Sequence, residues 1–287
     1  AFVGGVMQEA VSPALGSAGS LYTLLEAAAV LPDARFTLGI EPVLLTQLED
    51  LGGGYEARDA TGAVVQLDAE DPAASGARNV LGGLRSLATR DGIQILPLPY
   101  AVPSPSQLAA RGWPDGVEQM RLGKSEVIRL LGPADALRGA LAPALELTTD
   151  SIASYSQAAI DYVVAGASVL NDLAEAPRDG LAPVRVTDAA NNRLTVVPVS
   201  TRVAELFGVP GRMDELCATI AGILAGAPRT ALTVCAGDEY RAFDLQSALE
   251  FLREVMTSGV FATVTVDELV RTHSPDRRPL YISRYAA

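Results

Sequence analysis

The amino-acid sequence predicts an α/β fold, a single (β/α)7-type barrel carrying a β insertion or hairpin. Three observations carry that prediction. Apolar runs of strand length alternate with amphipathic helical patterns along nearly the whole chain, the arrangement that gives parallel sheets. These runs end in polar residues at loops broken by Pro or Gly, as Ile93-Gln94-Ile95-Leu96-Pro97-Leu98-Pro99-Tyr100 does most clearly. Roughly seven or eight such units suit a closed barrel, which commonly forms one domain of about 250 residues; the chain has 287. A doubly wound parallel sheet is the alternative. Gly4-Gly5 does not continue into GxGxxG and no GxxxxGK[ST] occurs, so both phosphate-binding signatures are missing.

Phe2 to Met7 reads as the first strand, and Ser20 stands where a helix N-cap belongs. Leu21, Leu24, Leu25, Ala28 and Ala29 then follow at helical spacing up to Pro32. Phe36 to Ile40 is a short strand ending at Glu41-Pro42, and Leu44, Leu45, Leu48 and Leu51 face one side of the next helix. Residues 56–76, turn-like and then acidic, read as an insertion between barrel units. Val80, Leu81, Leu84, Leu87 and Ala88 mark the helix leading to the Tyr100 strand. In that strand Pro97 and Pro99 mark where ladder pairing stops.

Val117 to Leu131 reads as a long helix closed by Gly132-Pro133. Ala144 to Asp150 is expected as the fourth strand, Tyr155 to Ala165 as a helix capped by Ser154, and Ser168 to Asp172 as a fifth strand. Val184–Asp188 and Leu194–Val199 flank Asn191-Asn192, a hairpin signal. Asp214 to Ala225 is a helix, Thr230 to Ala236 a strand, and Leu245, Leu249, Leu252, Val255 and Met256 the last clear helix. Phe261 to Val266 is expected to close the set of strands. Residues 1–272 are assigned to the barrel, and 273–287 to a tail or a linker to a further domain.

Composition excludes several function classes. A net charge of -12 argues against nucleic acid and against an anionic membrane surface. No apolar run reaches the ~18 residues that span a bilayer. Ala1-Phe2-Val3 resembles the inside of a strand, so the chain reads as a fragment. Cys217 and Cys235 are expected as buried thiols rather than a bridge. One histidine, His273, rules out a His-rich metal site within the chain, and no cofactor is expected.

The carboxyl ends of the strands are where such barrels place their sites. Reading those ends gives Gln8, Glu9, Glu41, Tyr100, Asp150, Asp172, Ser200, Thr201, Asp238, Glu239 and Arg241. This acidic, hydroxyl-bearing rim suits a sugar: carboxylates accept hydroxyl protons, and Tyr100 or Trp113 can stack on a ring face. Two opposed carboxyl groups would suffice for glycoside hydrolysis, and the candidates are Glu146 or Asp150 with Asp238 or Glu239. Against that stand plain structural roles, because Asp150 is placed to cap a helix and Glu41 to complement a helix N-terminus. Arg277, Arg278, Tyr281 and Tyr285 form a basic, aromatic tail that could dock a partner or simply strap the fold.

FTLGIEPVLL (36–45), LPLPYAVPSPSQLAARG (96–112), LELTTD (145–150) and RTALTVCAGDEYRAFDLQSALEFL (229–252) occur in an order with precedent. They resemble the (β/α)7 barrels of family-57 glycoside hydrolases and NodB-like polysaccharide deacetylases. More closely, they are similar to the barrel domain of an actinobacterial cell-envelope family of unknown function. Glu41-Pro42-Val43-Leu44-Leu45 matches its DPxLL-like turn and Pro99-Tyr100 its PY motif. The resemblance implies catalytic roles for Glu146 and Asp238, while the strand-end reading assigns substrate contacts to Glu41, Tyr100, Asp150, Asp172, Glu239 and Arg241. It implies an extracytoplasmic barrel within a larger anchored protein, with a glycan, a cell-wall component or another envelope protein as partner. The Asp-His-His metal set of the deacetylases has no match in the strand ends. The expected activity is glycan or partner binding without turnover, with active retaining hydrolysis as the alternative.

Overall fold

The computed structural model describes residues 2–3, 6–7, 20–58, 62–132, 137–166, 182–226, 233, 244–259, 262–273 and 280–281. Its elements in order are β1 (Phe2–Val3), β2 (Val6–Met7), α1 (Ser20–Val30), β3 (Phe36–Ile40), α2 (Pro42–Gly52), β4 (Tyr55–Arg58) and β5 (Val64–Leu67). Then come α3 (Pro72–Ala88), β6 (Ile93–Pro97), α4 (Pro105–Ala110), α5 (Asp115–Leu131), β7 (Gly139–Leu141), α6 (Ile152–Gln157) and β8 (Tyr162–Gly166). The chain continues through β9 (Val184–Thr187), β10 (Arg193–Val199), α7 (Thr201–Ala204), α8 (Met213–Gly226), α9 (Leu245–Ser258), α10 (Val266–Thr272) and β11 (Leu280–Tyr281).

The expected alternation is present and its strand pairing is largely parallel. β3 pairs with β6, β7 with β8, and β8 with β10, all parallel and in chain order. Val199 adds a parallel bridge to Thr233. The described strands fall into three sheets rather than one closed ring. The insertion is a real hairpin: β4 and β5 pair antiparallel, and β4 lies parallel to β2. The β9–β10 hairpin also forms, turning at Asn191 with φ 64°, and β11 pairs parallel with β9.

β8 shows why these strands read as unbroken apolar runs. All five of its residues are buried. Tyr162 and Val164 face one apolar cluster, with Leu96, Val197 and Val199, while Val163 and Ala165 face a second, with Met120 and Tyr155. A third cluster seats α2, α3 and α5 on β3 and β6 through Leu45, Leu48, Val80, Leu84 and Val127. The fourth joins α7, α8 and α9 through Val203, Leu216 and Phe251.

α10 closes the amino-terminal end of the strands. Thr265 and Glu268 form a capping box at its start. Its first backbone N–H groups reach side chains at the strand beginnings: Val266 N donates to Thr37 Oγ1 at 3.0 Å and Asp267 N to Gln94 Oε1 at 2.9 Å. Gln94 Nε2 donates to Tyr162 Oη, which donates in turn to Asp267 Oδ1 at 3.4 Å. The opposite, carboxyl-terminal rim is left for a site.

The structure corrects four expectations. Residues 144–150 are not the fourth strand; that strand is β7, and Pro143, with Ala144 and Leu145 at φ 54° and 52°, turns the chain out of the sheet. The helix expected over 155–165 is shorter and earlier, with Ser151 rather than Ser154 at its N-cap and a Thr148–Ser151 capping box on the short 3-10 turn before it, and Tyr162–Gly166 is strand. An apolar run cannot by periodicity alone declare itself helix or buried strand. Residues 262–265 are not strand but lead into α10. Cys217 is a free, exposed thiol, because the face of α8 that meets the core is set by Leu216 and Ile220. Cys235, the expected strand at 168–172 and all of 230–236 except Thr233 lie outside the described residues.

Candidate functional site

The rim is built where β3, β6 and β7 end. β3 passes into Glu41, an exposed residue at the N-cap of α2 whose side chain makes no capping bond. Pro42 sits at the first turn of that helix, where a missing N–H costs nothing. β6 carries its pairing one residue beyond the strand, with Leu98 N donating to Ile40 O at 3.1 Å. Tyr100 is then pinned by its backbone: its N–H donates to Gln119 O at 3.0 Å and its carbonyl accepts from Val43 N at 3.2 Å. Its phenol donates to Thr46 Oγ1 at 3.4 Å.

Glu146 is the carboxylate that the structure builds into a constellation. It follows β7 through the Ala144-Leu145 turn and is half-buried. Ser104 Oγ donates to Glu146 Oε2 at 2.9 Å while accepting from Gln107 N at 3.2 Å as the N-cap of α4. One hydroxyl thus starts a helix and orients a carboxylate. Ser106 and Ser151 meet in the buried layer beneath, Oγ to Oγ at 3.2 Å. Tyr155 lies at 0% exposure, and its phenol oxygen has no hydrogen-bond partner among the described residues.

Backbone strain gathers at the same place. Five non-glycine residues in the described part have positive φ, and three of them, Val102, Ala144 and Leu145, flank Tyr100 and Glu146. Such conformations cost of order 1–3 kcal/mol each and persist where surrounding structure over-determines them. A β-branched residue such as Val102, at φ 56°, is especially disfavoured there. The strain is therefore set against the bonds that aim these two side chains.

The other sequence candidates separate. Asp150 is exposed in the short turn before α6. Ser200 caps α7, with its Oγ accepting from Val203 N at 3.4 Å. Asp172, Asp238, Glu239 and Arg241 lie outside the described residues, as do Gln8 and Glu9. Sequence reasoning missed Ser104 and Tyr155. Ser104-Pro105 carries the N-cap and first-turn signature of a helix start, so Ser104 was findable. Nothing local marks Tyr155, whose burial is tertiary.

Burial pushes the Tyr155 phenol well above the ordinary range, and the Glu146 charge adds to it. Burial raises Tyr162 likewise, with Asp267 contributing, and lifts Tyr55 to about 12, with Asp71 contributing. The unfolded chain ionises its tyrosines near pH 10 while these three stay protonated in the fold. Stability is therefore full below about pH 10 and declines as pH rises from there through the folded values. Thermal melts from about pH 8 to 11, with tyrosinate absorbance followed in parallel, should show ionisation of these phenols only on unfolding.

The Asp-His-His set of a deacetylase-type metal site needs two histidines, and the chain has one. His273, the only histidine, follows α10 at the opposite end of the strands. Among the described residues no group of three His, Cys, Asp or Glu side chains is arranged to hold a metal ion.

No family model and no curated protein matches the chain. Solved structures do match it. A 4-alpha-glucanotransferase from Thermococcus litoralis aligns over 91% of this chain at 17% identity and a TM-score of 0.66, and the chain spans 37% of that enzyme's length. A GH57 branching enzyme from Thermococcus kodakaraensis aligns over 96% of this chain and 68% of its own, at 12% identity and a TM-score of 0.58. A protein from Mycobacterium smegmatis assigned to the polysaccharide deacetylases aligns over 99% of this chain and 96% of its own, at 14% identity and a TM-score of 0.52. At these identities the likeness is one of fold, and that fold is shared with glycoside hydrolase-type and deacetylase-type proteins.

Proposed function

We propose that the chain is a glycoside-hydrolase-like barrel that binds glycan at the carboxyl-terminal rim of its strands without turning it over. The observation that carries this reading is the Glu146 carboxylate, half-buried after β7 and oriented by Ser104 at 2.9 Å. A fixed acceptor of this kind suits a sugar hydroxyl, and Tyr100 stands at the end of β6 on the same rim. The reading includes closure of the parallel strands into a seven-unit barrel, and placement at the cell envelope with a glycan, a cell-wall component or another envelope protein as partner. Retaining hydrolysis is the second reading, since Glu146 follows the strand that resembles the fourth of family-57 barrels. It needs a second carboxyl about 5–5.5 Å away, for which Asp238 is the candidate.

A glycan-array screen tests the reading, with wild type beside Glu146→Gln and Asp238→Asn and reducing sugar measured in parallel. Binding without sugar release, weakened about tenfold in Glu146→Gln by the loss of one charge-assisted hydrogen bond, is the expected result. Release that disappears in both variants makes the protein a hydrolase. Envelope placement is checked separately, by protease accessibility of the tagged protein on intact cells.

A further inference from the structure

A groove of about 410 Å³ opens between α2 and the β4–β5 hairpin, within the size range of small-molecule sites. The hairpin is the insertion that interrupts the repeating plan, so one wall of the groove comes from the part of the chain the barrel does not require. The other wall is one face of α2, where Thr46, Gln47 and Asp50 lie at helical spacing. Tyr100 closes the end nearest the rim.

The chemistry of the lining is selective. Tyr55 spends its phenol on Asp71 Oδ1 at 2.9 Å, and Tyr100 spends its own on Thr46 at 3.4 Å. Their rings remain as walls rather than donors. Gln47, Asp50 and Glu56 make no side-chain hydrogen bond among the described residues, although all three face the groove. Gln66 adds a second carboxamide from the hairpin. No Lys or Arg lines the space. Carboxylates accept from hydroxyl groups, carboxamides both donate and accept, and aromatic faces cover the apolar side of a pyranose. Two carboxylates with no basic partner disfavour an anion.

We propose that this groove is a second saccharide site, for a short, neutral, hydroxyl-rich chain. It continues from the rim at Tyr100 along α2, and the proposal rests on the reading that the barrel handles glycans. Tyr100 then stands between two sites, one at Glu146 and one on the hairpin.

The test uses ¹⁵N-labelled protein titrated with maltotetraose, cellotetraose, tetra-N-acetylchitotetraose and, as a cationic control, spermidine. The side-chain amide resonances of Gln47 and Gln66 report the groove. A tetrasaccharide is expected to shift both, together with the backbone amides of Asp50 and Glu56, and Gln47→Ala with Gln66→Lys to weaken the response of those backbone amides by about tenfold or more. Gln66 is exposed on a hairpin strand, so its substitution leaves the core untouched. Glu146→Gln is expected to leave the groove response in place. Saccharide shifts confined to Ser104 and Glu146 would overturn the groove while keeping the rim reading. A groove that responds to spermidine and to no saccharide would overturn the proposal in favour of a cationic ligand. Silence in both regions would overturn the groove and the rim reading together.

Discussion

Gly139→Ala is expected to destabilise the protein by roughly 2–4 kcal/mol. A single methyl has this effect because of what lies over the glycine. Gly139 pairs with Tyr162 across the parallel β7–β8 ladder, and a Cβ at Gly139 would overlap the Tyr162 ring and come within 2.8 Å of Leu96 Cδ2. The ring cannot step aside freely. Its hydroxyl is held between Gln94 and Asp267, the bonds that seat α10 on the amino-terminal end of the strands. Overpacking costs about 1–3 kcal/mol, and a buried hydroxyl stripped of its partners about as much again. Against this, replacing Gly by Ala in a strand recovers roughly 0.5–1 kcal/mol. Chemical denaturation measures the net effect. A double variant with Tyr162→Leu should recover much of the loss, because the methyl and the ring compete for one space. Additive losses in the double variant would refute the account.

Gly123→Ala should act against helix propensity. In an open helix Gly to Ala gains about 1 kcal/mol. Gly82, on the exposed face of α3, has nothing within 4 Å of the place an added methyl would take, so Gly82→Ala is expected to stabilise by about that amount. Gly123 on α5 is different. Its Cβ would press on the Leu98 carbonyl, 3.1 Å from Tyr100 N and 3.2 Å from Pro42 Cγ. The obstacle is backbone, which does not rotate away. α5 must withdraw, and it carries the Gln119 carbonyl and side chain that bind Tyr100 N and Ala101 N, each at 3.0 Å. The expected result is a net loss of about 1–3 kcal/mol together with weaker saccharide binding, read by denaturation and by titration. Equal stabilisation of both variants would show that α5 does not position Tyr100.

Much of the fold was readable because its signals are local. The helix at 20–30 announces itself through Ser20 and the Leu21-Leu24-Leu25-Ala28 face, and the Asn191-Asn192 hairpin through its turn residues. The Glu41-Pro42 helix start and the hairpin part of the insertion were equally plain, although residues 72–76, read as part of that insertion, open α3. The misreadings fall where local signals tie. LELTTD alternates like a strand, yet two positive-φ residues at Ala144 and Leu145 turn it out of the sheet. Val163 and Val164 suit a buried helix or a buried strand, and only pairing with β7 and β10 decides between them.

The sequence by itself determined the alternation of parallel strands and helices, the insertion, the acidic character of the chain and the strand ends at which a site could lie. Each is a matter of periodicity, turn chemistry or charge, and each is written in residues close together in the chain. Only the tertiary structure decided that Glu146 pairs with Ser104, that Tyr155 is sealed beneath them, and that the insertion and α2 enclose a groove. Those facts depend on residues tens of positions apart, brought together by packing that has no period to read. The tolerance at Gly123 and Gly139 is of the same kind: space is a property of neighbours, and the neighbours come from elsewhere in the chain.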